Sequence, residues 1–210
     1  MTVPVRVGVL DYGSGNLHSV CQALTAAGAS VTTYTDARQL VHCDGVVIPG
    51  VGAFAACMDG LHASHAPATL VSFLDIGMPV LGICVGHQVL FSTGVEHGVS
   101  TPGIDLVPGV VERLQAERLP HIGWNTVEAP AGSLMFAGVE HERFYFVHSY
   151  AAHDSAAEGL AWCTHEGDRF VAGVESFNIW GAQFHPEKSG AAGARVLRNW
   201  LSAISEGVYR

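Results

Sequence analysis

The sequence lacks a basic face. Ten Lys and Arg stand against 19 Asp and Glu, the formal charge is −9, and no Lys/Arg cluster interrupts the chain. Nucleic acids and anionic membranes are held by concentrated positive charge, so both are poor partners here. Paired cysteines are missing too. Cys21, Cys43, Cys57, Cys84 and Cys163 are odd in number and scattered, with no C-x-x-C, so neither a disulfide framework nor a zinc ribbon is expected. Free thiols point to a reducing compartment, the cytoplasm. Charged residues are scarce at 14% while hydrophobic residues reach 49%, a balance that excludes disorder.

No linker, repeat or low-complexity segment divides the 210 residues, and the expectation is one domain over 1–210. The apolar run inside Met1 to Leu10 meets Asp11 too soon for the core of a signal peptide and fits a first buried strand. Ile76 to Val95 is uncharged and about as long as a membrane span. Gly77, Pro79, Gly82, Gly86, His87 and Gln88 argue against that use.

The first half alternates strand and helix patterns. Val5–Leu10 is a continuous apolar run, followed by a Gly-rich turn and by Leu17, Val20 and Leu24 at helical spacing, with Gly28 as C-cap. Val31–Tyr34, Gly45–Pro49 and Pro79–Ile83 read as further strands. Runs apolar on both faces, separated by helices, indicate a parallel sheet covered on both sides. The second half holds closely spaced strand-like runs at Gly109–Leu114, Trp124–Glu128, Phe144–Tyr150, Leu160–His165, Phe170–Glu175 and Ile179–Phe184. They suit antiparallel strands or an extension of the central sheet. A last helix is expected over Ala191–Ile204, with Val196, Leu197, Trp200, Leu201 and Ile204 on one face.

The sharpest local feature is Gly82-Ile83-Cys84-Val85-Gly86-His87-Gln88. G-x-C-x-G after a buried strand is the cysteine form of a nucleophile elbow, with a helix expected from His87 to Ser92. Small residues flank the nucleophile because the backbone folds tightly there. A helix N-terminus would favour the thiolate, and the Val85 N–H would face a developing oxyanion. The competing reading is a buried structural cysteine beside two packing glycines. The partner base should be a distant histidine oriented by a carboxylate. His185 in Gln183-Phe184-His185-Pro186-Glu187 fits, because it follows a strand at the sheet edge where Cys84 lies, and Glu187 can accept its other ring proton. Pro49-Gly50-Val51-Gly52 also follows a buried strand, and its N–H groups are candidate oxyanion donors, each worth roughly 3 kcal/mol of transition-state stabilisation.

Other patterns fail. Asp11-Tyr12-Gly13-Ser14-Gly15-Asn16 hints at dinucleotide binding, but G-x-G-x-x-G breaks at His18. His62 and His65 are spaced i, i+3 with no acid or cysteine cluster, so no metal is expected. His121, His148 and His165 read as structural or supporting. Two alternatives of other kinds stay open. One is a peptidase-like thiol hydrolase, against which the late His185-Pro186-Glu187 argues because such enzymes typically place the histidine soon after the cysteine. The other is a non-catalytic module, against which an intact triad argues.

In this order and spacing, the elbow, the Pro-Gly-Val-Gly loop and His185-Pro186-Glu187 resemble the class I (triad) glutamine amidotransferases. That family's elbow is usually G-x-C-x-G-x-Q and its late motif H-P-E. The resemblance covers essentially the whole chain. It implies a flavodoxin-like α/β domain, mostly parallel with helices on both faces. It also implies hydrolysis of the glutamine side-chain amide without a cofactor.

Asp11-Tyr12-Gly13-Ser14-Gly15-Asn16-Leu17, Pro120-His121-Ile122-Gly123-Trp124-Asn125, Tyr145-Phe146-Val147-His148-Ser149-Tyr150 and His185-Pro186-Glu187-Lys188-Ser189 narrow it further. They are similar to the glutaminase subunits of imidazole glycerol phosphate synthases. That implies a heterodimer in which ammonia passes to a (β/α)8-barrel cyclase subunit, making imidazole glycerol phosphate and AICAR in histidine biosynthesis. His87 stands where those subunits more often carry Met. A histidine there is familiar in anthranilate and GMP synthase amidotransferases, which remain the alternative. The resemblance further implies Gln88 and Glu96 near the glutamine α-amino and carboxylate groups, backbone contacts from Ser149 and Tyr150, and Trp124, Tyr145 and Lys188 at the cyclase interface. Glu96 has its own rationale as one of few charges near the elbow, against the reading of a solvated loop acid. Tyr145 competes with a plain strand aromatic.

Overall fold

Four short apolar runs become the middle of a sheet because nothing polar on them needs water. β1 (Arg6–Leu10), β3 (Gly45–Gly50), β4 (Val80–Cys84) and β13 (Ile179–Ala182) are buried almost throughout. Such strands need cover on both faces. The computed structural model describes residues 3–208; of the expected 1–210 domain, Met1, Thr2, Tyr209 and Arg210 lie outside the described residues. The seven-stranded sheet runs β11 (Leu160–His165), β12 (Asp168–Ser176), β13, β4, β3, β1, β2 (Ser30–Tyr34). Its five strands from β2 to β13 are parallel, while β12 and β11 extend it antiparallel. This is the flavodoxin-like order, in which the chain leaves β1 first to one side and then to the other.

Right-handed crossovers then put the first connecting helix on one face and the later pair on the other. α1 (Leu17–Ala27) buries Val20 and Leu24 and stops at Gly28, whose φ of 110° is the left-handed cap the sequence predicts. It packs against α5 (Gly190–Glu206), which buries Val196, Leu197, Trp200 and Leu201. α2 (Phe54–Ala63) and α3 (Ala66–Asp75) pack together between β3 and β4. Among the described residues, no helix is long and apolar enough to cross a membrane.

The structure corrects the segment after the elbow. The expected helix over His87 to Ser92 is a single turn, α4 (Val85–Gln88), and the chain re-extends as β5 (Phe91–Glu96). Val89, Leu90 and Phe91 are fully buried. β5 pairs with β6 (Val99–Pro102) and β7 (Val107–Arg113), and β7 with β10 (Tyr150–Ala152), so a four-stranded sheet gains what a longer helix would have lost. The uncharged Ile76–Val95 stretch is thus an exposed turn, the buried β4, the single turn of α4 and most of β5. The remaining strand-like runs form a two-stranded ribbon, β8 (His121–Thr126) and β9 (Arg143–His148). The expected Phe144–Tyr150 strand is interrupted at Ser149, whose carbonyl accepts from Leu114 N–H at 2.9 Å.

Candidate active site

Cys84 ends β4 with φ 55° and ψ −114°, a strained conformation for a residue with a side chain. The neighbours explain how it is tolerated. A Cβ on Gly82 would lie 2.5 Å from the Gly86 carbonyl oxygen, and one on Gly86 only 1.8 Å from the Ile48 carbonyl oxygen. The two glycines therefore let the turn after Cys84 pack directly on β3 and β4, which is what the elbow pattern demanded. Because α4 is one turn, the aid expected from a helix dipole shrinks to the N–H groups that turn leaves free beside the sulfur.

β13 delivers His185 to the same edge. His185 Nδ1 lies 2.8 Å from Glu187 Oε1, with both side chains almost wholly buried. The His185 segment is pinned to β9, since His185 N–H donates to the Tyr145 carbonyl at 2.9 Å and Ser189 Oγ bridges Tyr145 N–H and the His185 carbonyl. Burial opposes charge on this ring, yet the Cys84 and Glu187 side chains outweigh it and lift its pKa to about 9. His185 is thus drawn to the imidazolium form between the Cys84 sulfur and the Glu187 carboxylate, while its Nε2 closes no hydrogen bond. Glu187 Oε2 is buried with no partner of its own, so Glu187 depends on that cation.

A cavity of about 310 Å³ opens over the sulfur. Of the residues expected from sequence, Val51, Gly52, Cys84, Val85, Gln88, Glu96, Ser149, Tyr150, His185 and Lys188 form its wall. Glu96 Oε2 accepts from Phe54 N–H at 3.0 Å, so the start of α2 orients this carboxylate rather than leaving it a loose loop acid. Gln88 Nε2 donates to the Tyr150 carbonyl at 2.7 Å and to Gln183 Oε1 at 3.0 Å, and so spends its donors holding the wall.

Two oxyanion expectations need correction. Gly50 is not on the wall; it pairs with Cys84 in the sheet and packs beneath the elbow, where a Cβ would meet Gly86 N at 2.5 Å. Val51 is on the wall, but its N–H donates to Ser14 Oγ at 3.1 Å, and the Ser14 hydroxyl donates to the Val51 carbonyl at 2.6 Å. Its donor is occupied. Trp124 and Tyr145 are not on the wall either. They meet edge to face at 6.1 Å on the β8–β9 ribbon, with Trp124 52% and neighbouring Ile122 60% exposed.

Sequence reasoning missed Ser14, and it left His148 as structural or supporting; the structure puts His148 on the cavity wall. His87, by contrast, does not touch the cavity. It is fully buried between Gly181 and Phe91, with neither ring nitrogen closing a hydrogen bond. The other four thiols are protonated: burial pushes Cys21, Cys43 and Cys57 up, and Cys163 to about 12. Among the described residues, no group of three or more His, Cys, Asp or Glu is placed to hold a metal ion.

The family description "Glutamine amidotransferase class-I" matches residues 8–204. The chain is similar to the imidazole glycerol phosphate synthase subunit HisH of Nocardia farcinica, 55% identical over 207 residues that cover 94% of this chain and 98% of that protein. It is similar to the subunit of the same name from Corynebacterium glutamicum, 51% identical over 207 residues, covering 94% and 98%. Among solved structures, a glutamine amidotransferase superposes with a TM-score of 0.75 at 19% identity, covering 95% of this chain and 98% of that one. The PurLQS structure from Thermotoga maritima superposes with a TM-score of 0.66, also at 19% identity, over 95% and 99%. At that identity the solved structures speak for the fold.

Proposed function

The chain belongs to the class-I glutamine amidotransferases, and from that premise we propose that it is the glutaminase subunit of imidazole glycerol phosphate synthase, with Cys84, His185 and Glu187 as its triad. The observation that carries the chemistry is the strained Cys84 facing, across one cavity, a histidine held as a cation by Glu187. The Cys84 thiolate attacks the side-chain carbonyl carbon of glutamine. The tetrahedral oxyanion is met by the Val85 N–H and by the Val51–Gly52 backbone once Val51 leaves Ser14. As the C–N bond breaks, His185 Nε2 gives its proton to the departing ammonia. The neutral ring then takes a proton from the water that hydrolyses the thioester, releasing glutamate and restoring the thiolate–imidazolium pair. The free oxygen of Glu96 suits the α-ammonium of the substrate, and Gln88, Ser149 and Tyr150 shape the wall around its α-carboxylate.

The partner in this reading is the (β/α)8-barrel cyclase subunit, which takes up the ammonia. The exposed Ile122 and Trp124, with Tyr145 behind them, offer it an apolar patch, and Lys188 reaches from the triad's own segment. Five unpaired cysteines suit a reducing cytoplasm. We read 1–210 as one amidotransferase domain. The alternative of an anthranilate or GMP synthase glutaminase drew on His87, which lies outside the cavity and so gives it no support from substrate contact. The test is glutamate release from glutamine by the chain alone and with the cyclase and its ribonucleotide, Cys84→Ala serving as control. Weak activity that rises steeply with the loaded partner is expected. Indifference to the partner would keep the triad and overturn the assignment.

A further inference from the structure

Beside the cavity lies a line of polar side chains, the half-buried Asn125 and the buried His121 and His148, that the triad does not use. Asn125 Nδ2 is 3.4 Å from His121 Nε2, His121 Nδ1 is 3.2 Å from His148 Nε2, and His148 Nδ1 is 3.0 Å from the Tyr150 carbonyl oxygen. Both rings are almost fully buried. His121 is clamped between Phe146 and His165, stacked on them at 4.9 and 4.2 Å, and His148 meets Phe170 at 4.9 Å. Neither ring can turn freely.

The polarity of this line is fixed from both ends. At one end a carbonyl oxygen only accepts, so His148 Nδ1 carries a proton. At the other, Asn125 faces the Thr164 carbonyl at 3.0 Å and the Thr126 N–H at 2.9 Å, which sets its nitrogen and its oxygen. The Asn125 nitrogen is therefore a donor toward His121 Nε2, and His121 must carry its own proton on Nδ1. Burial keeps both rings neutral, at about 4 for His121 and about 3 for His148. The two ends agree on one arrangement: Asn125 to His121 to His148 to Tyr150.

The receiving group matters. Leu114 N–H bonds the Ser149 carbonyl, and Tyr150 pairs with Arg113, so the Tyr150 peptide groups point away from β7. Its carbonyl is held by Gln88 and His148, and this fixes the tilt of the Tyr150 N–H on the same side of the strand. We infer that His121 and His148 are positioning residues, a one-way hydrogen-bond relay that sets the Tyr150 peptide for the α-carboxylate of glutamine. The relay starts at Asn125, next to the exposed Trp124, so it also joins the apolar ribbon to the substrate wall. It rests on the reading of the cavity as the glutamine site.

Two measurements test it. Long-range ¹⁵N–¹H spectra of the wild-type chain labelled at histidine, at pH 8, should show both rings as Nδ1–H tautomers, the reverse of the form that prevails in free histidine. Assignment uses His121→Asn and His148→Asn. An Nε2–H form at either ring overturns the relay, whatever the variants do. In the partner-free glutaminase assay, His148→Leu should raise the glutamine KM roughly fivefold and lower kcat less than twofold, the scale of one lost hydrogen bond. His148→Asn, which keeps a donor at the Nδ1 position, should recover most of that KM. Equal KM increases in both variants, or a fall confined to kcat, would refute the positioning role. A wild-type chain with no activity above Cys84→Ala, both alone and with the loaded cyclase, would instead overturn the glutamine reading, leaving the tautomers to be read on their own.

Discussion

Replacing His87 with Met should stabilise the protein, and by more in acid than in base. The ring is wholly buried, neither nitrogen closes a hydrogen bond, and only the backbone of Val171 gives its charged form weak support. Leaving a buried donor unpaired costs about 1–3 kcal/mol. A Met of similar length escapes that cost and needs no partner against Phe91. At pH 8 the variant should therefore gain about 1–2 kcal/mol, or about 2–4 °C per kcal/mol in Tm for a chain of this size.

Acid adds a second term. Burial drops the folded pKa of His87 from 6.5 to about 3, so below pH 6.5 the unfolded chain binds a proton the folded chain refuses. Stability then falls with pH, by about 2 kcal/mol at pH 5 from this residue alone. His121 and His148 behave alike in both proteins and cancel. Urea unfolding at pH 8 and pH 5 reads the difference directly. A gain that is the same at both pH values would refute the buried neutral ring, and a loss at pH 8 would show that the imidazole has a partner worth keeping.

Glu187→Gln should lower glutaminase kcat on the order of 10³-fold by removing the charge opposite His185. The raised pKa of His185 gives the wild type a contribution that is present below pH 6.5 and lost as pH rises through about 9, so this variant should also lose less stability across that window in thermal scans; an unchanged pH dependence would contradict the pairing. Gly86→Ala drives a Cβ against the backbone of Ile48 and should cost about 2–4 kcal/mol in chemical unfolding, with a wild-type midpoint disproving the tight elbow. Ser14→Ala frees Val51, and partner-free turnover should rise about fivefold, one hydrogen bond's worth; no rise would mean that Ser14 does not restrain the loop. Lys188→Met should reduce partner-stimulated turnover more than basal turnover, and equal losses would sink a role at the interface.

What could be read in advance was local. Leu17, Val20 and Leu24 with Gly28, the Gly-x-Cys-x-Gly turn, and the apolar face of the last helix each carry their whole signal within a dozen residues. The failures needed distant partners. Val89, Leu90 and Phe91 are an apolar run without a period, and the start of β5 is paired at Phe91 only by Val107 of β7, sixteen residues later. Ser14 acts on Val51, 37 positions away, and His148 on His121, 27 away. Nothing in either neighbourhood announced those contacts. Gly50 was misplaced for a related reason: a glycine after a strand looks the same whether it faces a ligand or the underside of another loop.

The distribution of sulfur has a practical consequence. Cys21, Cys43, Cys57 and Cys163 keep their protons through burial, while Cys84 alone opens on the substrate cavity. An electrophile built on a glutamine backbone should therefore modify one thiol in five, and its stoichiometry would count competent molecules in any preparation. With Cys84 as the proposed nucleophile, the chain carries its own titrant acceptor, so specific activities of variants can be normalised to labelled sites rather than to total protein.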